Sequence, residues 1–429
     1  MKVLLVSLYH PELVRGGSQT IAYELFQGLR DVPEIEPVLL ASADQTTPAM
    51  FKSGARITGF DGRENEFLFL AQEYDHSWEK SGSVLLAEAF EAFLRLIAPE
   101  VVHFHHFMTF GIDFLTLTRR VLPAARIVFT AHEFLTICAA NGHMLRRHED
   151  ALCAKASPVR CHQCLPTLPP EHFFLREMWM KRHLQVVDAF TVPSRFMIRH
   201  FVDWGMAAQK FSHVTNALAL PPAKPPVARK RRNRFGFFGQ LVDAKGLQIL
   251  LRAVSLLRAE GFLEFQVEIN GDNLGFATAE CRAEIESFLA EEEKLPVAER
   301  RVVFNGPYHP DQLPALMARI DWCVVPSLWW EAFCLVISEA WACGRPVIAA
   351  DAGGLAERVT DGGDGLLFAR GDARELAETM QRACTEEGLW DSLAAGIKRP
   401  APREEMVQGY LRVYRGVGAV VPRKKVAAF

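Results

Sequence analysis

Two glutamates, Glu331 and Glu339, stand eight positions apart in the run WWEAFCLVISEAWACGRPVIAAD, Trp329–Asp351. The apolar spacing predicts a helix over Val336–Ala342, entered through Ala332–Leu335. The N–H groups of Phe333, Cys334 and Leu335 are then unpaired donors at the positive end of a helix. Glu331 sits just before that end, where a carboxylate can simply cap. Capping does not account for Glu339, which lies inside the apolar stretch VISEAWA. A buried carboxylate without a partner is costly, so the pair reads as ligand-binding. Upstream, GFFGQLVDAKG (Gly236–Gly246) takes a strand into a turn at Gly239 and places Lys245 just before another helix. A phosphate there meets both an ammonium and free backbone amides. Taken alone, such a strand–glycine–lysine–helix join is more often structural.

The N-terminal half offers a second set. In LLVSLYHPELVRGGSQTIAYELFQGL a strand leads through Gly16 and Gly17 into an amphipathic helix, Ser18–Leu29, with Ser18 as its cap and Ile21, Leu25 and Leu29 on its buried face. Glycine lets backbone approach a ligand closely, although a Gly-Gly pair is usually only a tight turn. The runs VVHFHH and IVFTAHEF each end a buried strand, which puts His105, His106 and His132 at strand C-terminal ends, where α/β folds bind ligands. His132 is the first choice among them for a ligand role, and His103 and His105 read as structural.

Of the nine cysteines, Cys281, Cys323, Cys334, Cys343 and Cys384 are scattered through apolar or helical stretches as small core residues. Cys138, Cys153, Cys161 and Cys164 cluster in a loop, 138–164, with only the last pair in C-x2-C spacing. In a reducing compartment such a cluster points to metal more than to disulfides. Four thiolates can hold a structural zinc, with His143, His148 and His162 as substitutes. Four free thiols in a long loop is the plainer reading, and an iron–sulfur cluster a third.

These residues need elements to position them, and the chain supplies two series. Apolar runs at Val3–Tyr9, Val38–Ala41, Val101–His105, Ile127–Thr130, Ala189–Val192 and His213–Thr215 read as strands. Ser18–Leu29, Ser83–Leu96 and His172–Val187 read as helices between them. Continuous apolar strands separated by helices imply a parallel sheet covered on both faces. Leu218–Arg232, with four prolines and five basic residues, is the expected linker. The alternation restarts with strands at Phe235–Phe238, Val267–Asn270, Val302–Phe304, Trp322–Val325, Val347–Ala349 and Gly365–Phe368. Helices are expected at Leu247–Glu260, Phe276–Glu293, Asp311–Ile320, Val336–Cys343 and Ala373–Glu387. The expected organisation is α/β: a Rossmann-like domain at 1–217 with the cysteine-rich loop, a second at 233–390, and a helical tail at 391–429 that packs back on the first.

A length of 429 residues suits two such domains, and a net charge of -3 provides no basic field for nucleic acid. The N-terminal run reads as a first strand and not a signal peptide. No apolar stretch approaches the ~20 residues needed to cross a bilayer, so a cytoplasmic location is expected. The basic, aromatic segment His172–Val187 suggests peripheral contact with the inner face of a membrane. Its stripe of Phe174, Met178, Lys181 and Leu184 instead suggests packing on the sheet.

The segment VVPSLWWEAFCLVISEAWACGRPVIAADAGGLAE, together with Lys245, resembles the retaining family-4 glycosyltransferases of the GT-B fold, and the likeness spans nearly the whole chain. The resemblance implies two Rossmann-like doubly wound domains facing a central cleft, the acceptor side at 1–217 and the nucleotide-sugar donor-binding side at 233–390. Glu331 matches the family glutamate that binds sugar hydroxyls, and Glu339 the one that binds the nucleotide ribose. Lys245 matches the lysine on the diphosphate, and the amides of 333–335 those that contact sugar and diphosphate. Gly16 and Gly17 match glycines lying against the donor phosphate, and His132 a histidine on the donor sugar or its phosphate. The chain departs from the family where Gln240 stands in place of an arginine, since glutamine has neither the charge nor the fork of a guanidinium.

The implied activity is retaining transfer of a hexose-type sugar from a UDP-, GDP- or ADP-sugar to a glycan, lipid-linked or small-molecule acceptor. No D-x-D run lies in a strand-end loop, which fits a metal-independent enzyme with no cofactor beyond the structural zinc. A non-catalytic nucleotide-sugar-binding scaffold, or a partner subunit of another transferase, is the alternative, and Gln240 is the feature in its favour. No G-x-G-x-x-G follows a strand, which sets aside a dinucleotide dehydrogenase.

Overall fold

The computed structural model describes residues 1–43, 55–71, 73–146, 149, 151–219 and 231–417. The expected linker lies mostly outside the described residues, as does His148. The chain divides into two compact units, Met1–Ala219 with Ala401–Phe429, and Leu220–Pro400.

The first unit is built on an eight-stranded sheet. Its order is Phe211–His213, Ala189–Val192, Arg126–Thr130, Val101–Phe104, Lys2–Ser7, Glu36–Ser42, Glu66–Phe69 and Ile57–Gly59. All neighbours are parallel except the last pair. Val3, Leu4, Leu5 and Val6 are each 0% exposed, as expected of a strand covered on both faces. The strand order reverses at Lys2–Ser7: the next strand in sequence lies to one side and Val101–Phe104 to the other. In open α/β sheets this reversal opens a crevice at the strand C-termini.

Four expectations for this unit are corrected. The antiparallel edge pair and the helices Asp113–Val121 and Arg195–Asp203 were not anticipated, because each is short: strands of three and four residues and helices of nine. The last strand is Phe211–His213, not His213–Thr215. The first helix runs Gly17–Arg30 with Gly16 as its N-cap, so Ser18 lies inside it and does not cap. The helix Pro170–Leu184 buries Phe173, Arg176, Met180, His183 and Leu184. Phe174 and Met178 are instead 54% and 53% exposed, contrary to the expected stripe. Arg176 takes the inward place because its guanidinium donates to the carbonyls of Thr136 and Leu135, at 3.3 and 2.8 Å.

The second unit has a six-stranded, all-parallel sheet in the order Val302–Gly306, Gln266–Asn270, Arg234–Phe238, Trp322–Val325, Val347–Ala350 and Gly365–Phe368. This is the doubly wound dinucleotide-fold order, with its switch point between Arg234–Phe238 and Trp322–Val325. The helix expected at Asp311–Ile320 is a 3-10 turn, Pro310–Gln312, followed by the short helix Leu313–Met317. The helix expected from Phe276 begins at Ala279, where the Thr278 hydroxyl accepts from the Cys281 N–H at 3.3 Å.

The tail is shared between the units. Leu389–Gly396 belongs to the second, where the Trp390 indole donates to the Asp321 carbonyl at 2.8 Å. Arg403–Tyr414 belongs to the first, where Met406, Tyr410 and Tyr414 are buried.

Candidate functional site

At the switch point of the second unit, Arg234–Phe238 runs out into Gly239, whose φ of +146° suits glycine. Gly239 is followed by the exposed Gln240. The chain then makes a 3-10 turn, Asp243–Lys245, and enters a helix through Gly246 in the left-handed region. A Cβ on Gly246 would fall 1.9 Å from the Pro326 carbonyl oxygen. No larger residue fits, so this glycine seats Lys245 against the segment leaving the neighbouring strand. The Leu328 N–H donates to the Ala244 carbonyl at 2.8 Å and closes the same junction.

Lys245 and Glu331 meet there. The Lys245 Nζ donates to Glu331 Oε1 at 2.7 Å, and the Ser327 hydroxyl donates to the same oxygen at 2.8 Å. The ammonium also lies 5.1 Å from the centre of the Trp329 ring. Glu331 is only 4% exposed. Burial pushes its carboxyl up, but the Lys245 charge and the hydrogen bonds outweigh this and hold it below the usual carboxylate range. Burial likewise presses the Lys245 pKa down, and Glu331 more than restores it. Both groups are therefore charged at neutral pH. Glu331 is committed to this pair and caps no helix.

The helix beyond runs Leu335–Ala342, with Cys334 as its N-cap at φ 64° and no side-chain cap. A non-glycine residue in that region stores strain, which only firm surroundings maintain. Arg358 supplies them. Its guanidinium donates to the carbonyls of Phe333 and Cys334 at 2.9 and 2.7 Å and to the Ser338 hydroxyl at 2.7 Å, and stacks 3.8 Å over the Phe333 ring. Burial lowers its pKa to about 10. Gly354 braces the other side, where a Cβ would stand 2.7 Å from the carbonyl oxygens of Glu331 and Ala332. With the carbonyls of 333 and 334 turned to Arg358, the N–H groups of Phe333, Cys334 and Leu335 donate to no carbonyl among the described residues. Glu339 is half-buried one turn further on, and burial raises its pKa to about 7. Sequence reasoning missed Arg358, Ser327 and Gly354. Arg358 and Gly354 lie within or just past the family-like run, but only the fold brings them to the loop.

The first unit's candidates occupy its own strand ends. Gly16 and Gly17 start the helix after Lys2–Ser7. His105 and His132 follow the adjacent strands Val101–Phe104 and Arg126–Thr130. Their Nδ1 and Nε2 atoms are 3.0 Å apart and their rings stack at 5.3 Å. His103 is inaccessible, held by the Tyr414 and Thr130 hydroxyls at 2.7 Å each. Burial drives the pKa of His103 and His105 well down, that of His106 to about 4 and that of His132 to about 3. All four are neutral at physiological pH. Glu133, which sequence reasoning passed over, lies 3.5 Å from His106 Nε2, and burial raises its pKa to about 8.

Cys138, Cys153, Cys161 and Cys164 line a single hollow in this unit. Among the described residues, no three His, Cys, Asp or Glu side chains stand grouped as metal ligands. No helix among the described residues is long and apolar enough to cross a membrane.

Two family models match the chain: Glycosyltransferase Family 4 over residues 15–220 and Glycosyl transferases group 1 over residues 232–386. Among curated proteins, the D-inositol 3-phosphate glycosyltransferase of Rhodococcus jostii is 35% identical over 54% of this chain and 52% of its own length. That of Salinispora arenicola is 40% identical over 30% of this chain and 29% of its own. The chain thus spans about half or less of the length of the curated relatives it matches. Sucrose-phosphate synthase from Thermosynechococcus elongatus superposes with a TM-score of 0.71 at 19% identity, covering 97% of this chain and 99% of its own. Anabaena HepE, solved with UDP and glucose, does so at 0.65 and 17%, covering 97% and 99%. At such identity these likenesses establish the fold. The two family models, the sequence relatives and the GT-B structural neighbours agree, and the chain belongs to the family-4 glycosyltransferases of the GT-B fold.

Proposed function

We propose that this protein transfers a hexose-type sugar from a nucleotide-diphosphate sugar to an acceptor hydroxyl, with retention of anomeric configuration and without a metal ion. The observation that carries the reading is the Lys245–Glu331 pair beside three unpartnered amides at the start of Leu335–Ala342. A diphosphate draws Lys245 and the amides to itself, which offsets charge as the sugar–phosphate bond breaks. Glu331, firmly ionised, accepts hydrogen bonds from sugar hydroxyls. Glu339 meets the ribose, and the family resemblance assigns Gly16, Gly17 and His132 to the donor phosphate and sugar.

The acceptor hydroxyl attacks the anomeric carbon on the face the phosphate leaves. Its proton passes to the departing phosphate oxygen, giving a glycoside and a free nucleoside diphosphate. HepE is solved with UDP and with UDP-glucose, which makes a UDP-sugar the first donor to try. GDP- and ADP-sugars follow. The curated relatives' names point to a small polyol phosphate as one acceptor class, beside glycans and lipid-linked sugars.

The test is release of nucleoside diphosphate from each donor, with and without acceptor, after dialysis against EDTA. Acceptor-dependent release supports the reading. Binding of donor with no turnover on any acceptor class favours the scaffold alternative, and an absolute need for added divalent metal contradicts the charge-offset scheme. Proton NMR of the fresh glycoside decides retention.

Peripheral membrane contact is part of the proposal. Phe174, Leu175 and Met178 are 54%, 52% and 53% exposed on a helix that also carries Lys181 and Arg182. Lys181 is paired with Glu177 at 2.5 Å, so the face is chiefly apolar with Arg182 at its edge, and such a face suits insertion at an anionic bilayer surface. Co-sedimentation with anionic liposomes should fall several-fold in Phe174→Ser/Met178→Ser, with thermal stability nearly unchanged. Wild type remaining in the supernatant at moderate salt ends this part of the proposal.

A further inference from the structure

Four cysteines outside the donor-site residues converge on one place in the first unit. Cys138 follows the strand-end loop that carries His132. Cys153 stands one residue past a hairpin in which Leu145–Arg146 pairs antiparallel with Ala151–Leu152. Cys161 and Cys164 lie at i and i+3 on the helix Pro158–Cys164, on neighbouring positions of one face. All four line the same small apolar hollow.

The module around that hollow has little core of its own: of the residues lining the hollow, only Ala140 and Met144 are buried. None of the seven residues of Pro158–Cys164 is buried, and each hairpin strand is two residues long. A helix of two turns and a minimal hairpin are each unstable alone in water. Small modules that cannot bury enough apolar surface are held instead by disulfides or a metal. All nine cysteines lie among the described residues, and none forms a disulfide.

We propose that Cys138, Cys153, Cys161 and Cys164 together bind one zinc ion, which serves as the core of this module. Four sulfur ligands from a loop, a hairpin end and a helical C-x2-C suit the tetrahedral preference of zinc. His162 is not among the residues that line the hollow, and four sulfur ligands already fill a tetrahedral shell. Four thiolates around a divalent ion leave two negative charges. Arg146 and Arg160 line the hollow, and Arg176 lies near enough to Cys138 and Cys161 to interact with both, so the compensating charge is in place. The Cys138 and Cys153 thiols donate to the carbonyls of Ala140 and Lys155, at 3.7 and 3.5 Å, and among the described residues no three His, Cys, Asp or Glu side chains yet stand grouped as ligands. Zinc binding would exchange these weak contacts for zinc–sulfur bonds of ~2.3 Å, with the thiols drawn together around the ion. The module would then anchor the turn after His132, where the Cys138 N–H already donates to the Phe134 carbonyl at 2.7 Å.

The full chain, purified without added metal, should carry about one zinc by mass spectrometry of the elements. Cys153→Ser and Cys161→Ser/Cys164→Ser should each carry less than about a tenth of that. Because these variants could lose the fold with the metal, the wild type provides a second reading. A mercurial reagent should release zinc, followed with a colorimetric chelator, in step with modification of about four thiols per ion. Four freely titratable thiols and no metal overturn the proposal. So do two disulfides by non-reducing mass mapping, iron with a visible chromophore, or zinc retained in both variants.

Discussion

The two sheets reverse their strand order in the same way, yet the groups at the two switch points are electrostatically opposite. In the second unit a full ion pair, Lys245–Glu331, survives burial because each partner restores the charge that desolvation would remove. In the first unit His105, His106 and His132 meet no carboxylate strong enough to do this, and burial leaves them uncharged. One crevice holds fixed charge and can offset a diphosphate. The three histidines of the other are neutral donors and acceptors, which can orient hydroxyls but cannot offset charge. The fold supplies the location, and the partner of each buried group decides what the location can do.

The largest effect expected from breaking this contrast is at the ion pair. Lys245→Met should lower transfer by at least about 100-fold at saturating donor, the scale of losing one preorganised charge-offsetting group. It should also destabilise the second unit, by about 3–5 kcal/mol, because Glu331 is left buried without its cation. Glu331→Gln should lose transfer comparably at a smaller cost in stability, since the Lys245 side chain is 26% exposed and can reach water. The double variant Lys245→Met/Glu331→Gln should be more stable than Lys245→Met alone. Urea unfolding of the three proteins measures this. Additive stability losses would mean that the pair is not coupled, and near-normal turnover in either single variant would remove it from the donor site.

The histidines come next. In the folded chain His106 and His132 protonate only near pH 4 and 3, while an unfolded histidine does so near 6.5. Between those values the unfolded state binds more protons, so stability is full above pH 6.5 and is lost as pH falls toward 4. Each such imidazole contributes a slope of about 1.4 kcal/mol per pH unit in that window. His106→Gln should flatten the fall in urea midpoint between pH 7 and 5. The rate of transfer should show no titration near pH 6.5 that disappears in His132→Ala, because His132 is already neutral. His132→Ala should lower the rate by about 100-fold, with little change in affinity for the bare nucleotide by calorimetry. A large loss of nucleotide affinity would place His132 elsewhere.

How far the sequence foretold these two regions follows from how local each cause is. The strands Trp322–Val325 and Gly365–Phe368 fall where their apolar runs end, since a fully buried parallel strand writes its limits in the residues themselves. The spacing of Glu331 and Glu339 and the place of Lys245 were likewise legible, because both depend on short strand–loop–helix units. That Lys245 and Glu331 bond each other was not, as 86 positions separate them. Arg358 escaped because a half-buried arginine that orders backbone carbonyls looks, in sequence, like any surface arginine. The face of Pro170–Leu184 was misread for a related reason: Arg176 finds buried carbonyl acceptors, and two bulky apolar residues, Phe174 and Met178, stay outside.

The smallest effect concerns Glu339, which has the second unit's charge-bearing setting but the first unit's lack of a partner. Its pKa of about 7 means that the folded chain keeps a proton that an unfolded glutamate gives up near 4.5. The folded state is penalised as pH rises through this interval, fully so above 7 and not at all below 4.5. Replacing it with glutamine should therefore stabilise the ligand-free second unit by about 1 kcal/mol at pH 8, allowing for partial exposure. That is a rise in melting temperature of about 3 °C for a unit of this size. At pH 4.5 the gain should vanish. The same substitution should weaken nucleotide binding several-fold if the carboxylate meets the ribose, so that stability and affinity move in opposite directions. Differential scanning calorimetry at the two pH values, beside nucleotide titrations at pH 8, tests both. A gain that persists at pH 4.5 would come from packing and not from charge. Unchanged affinity would leave Glu339 without a ligand and its burial without a purpose at this site.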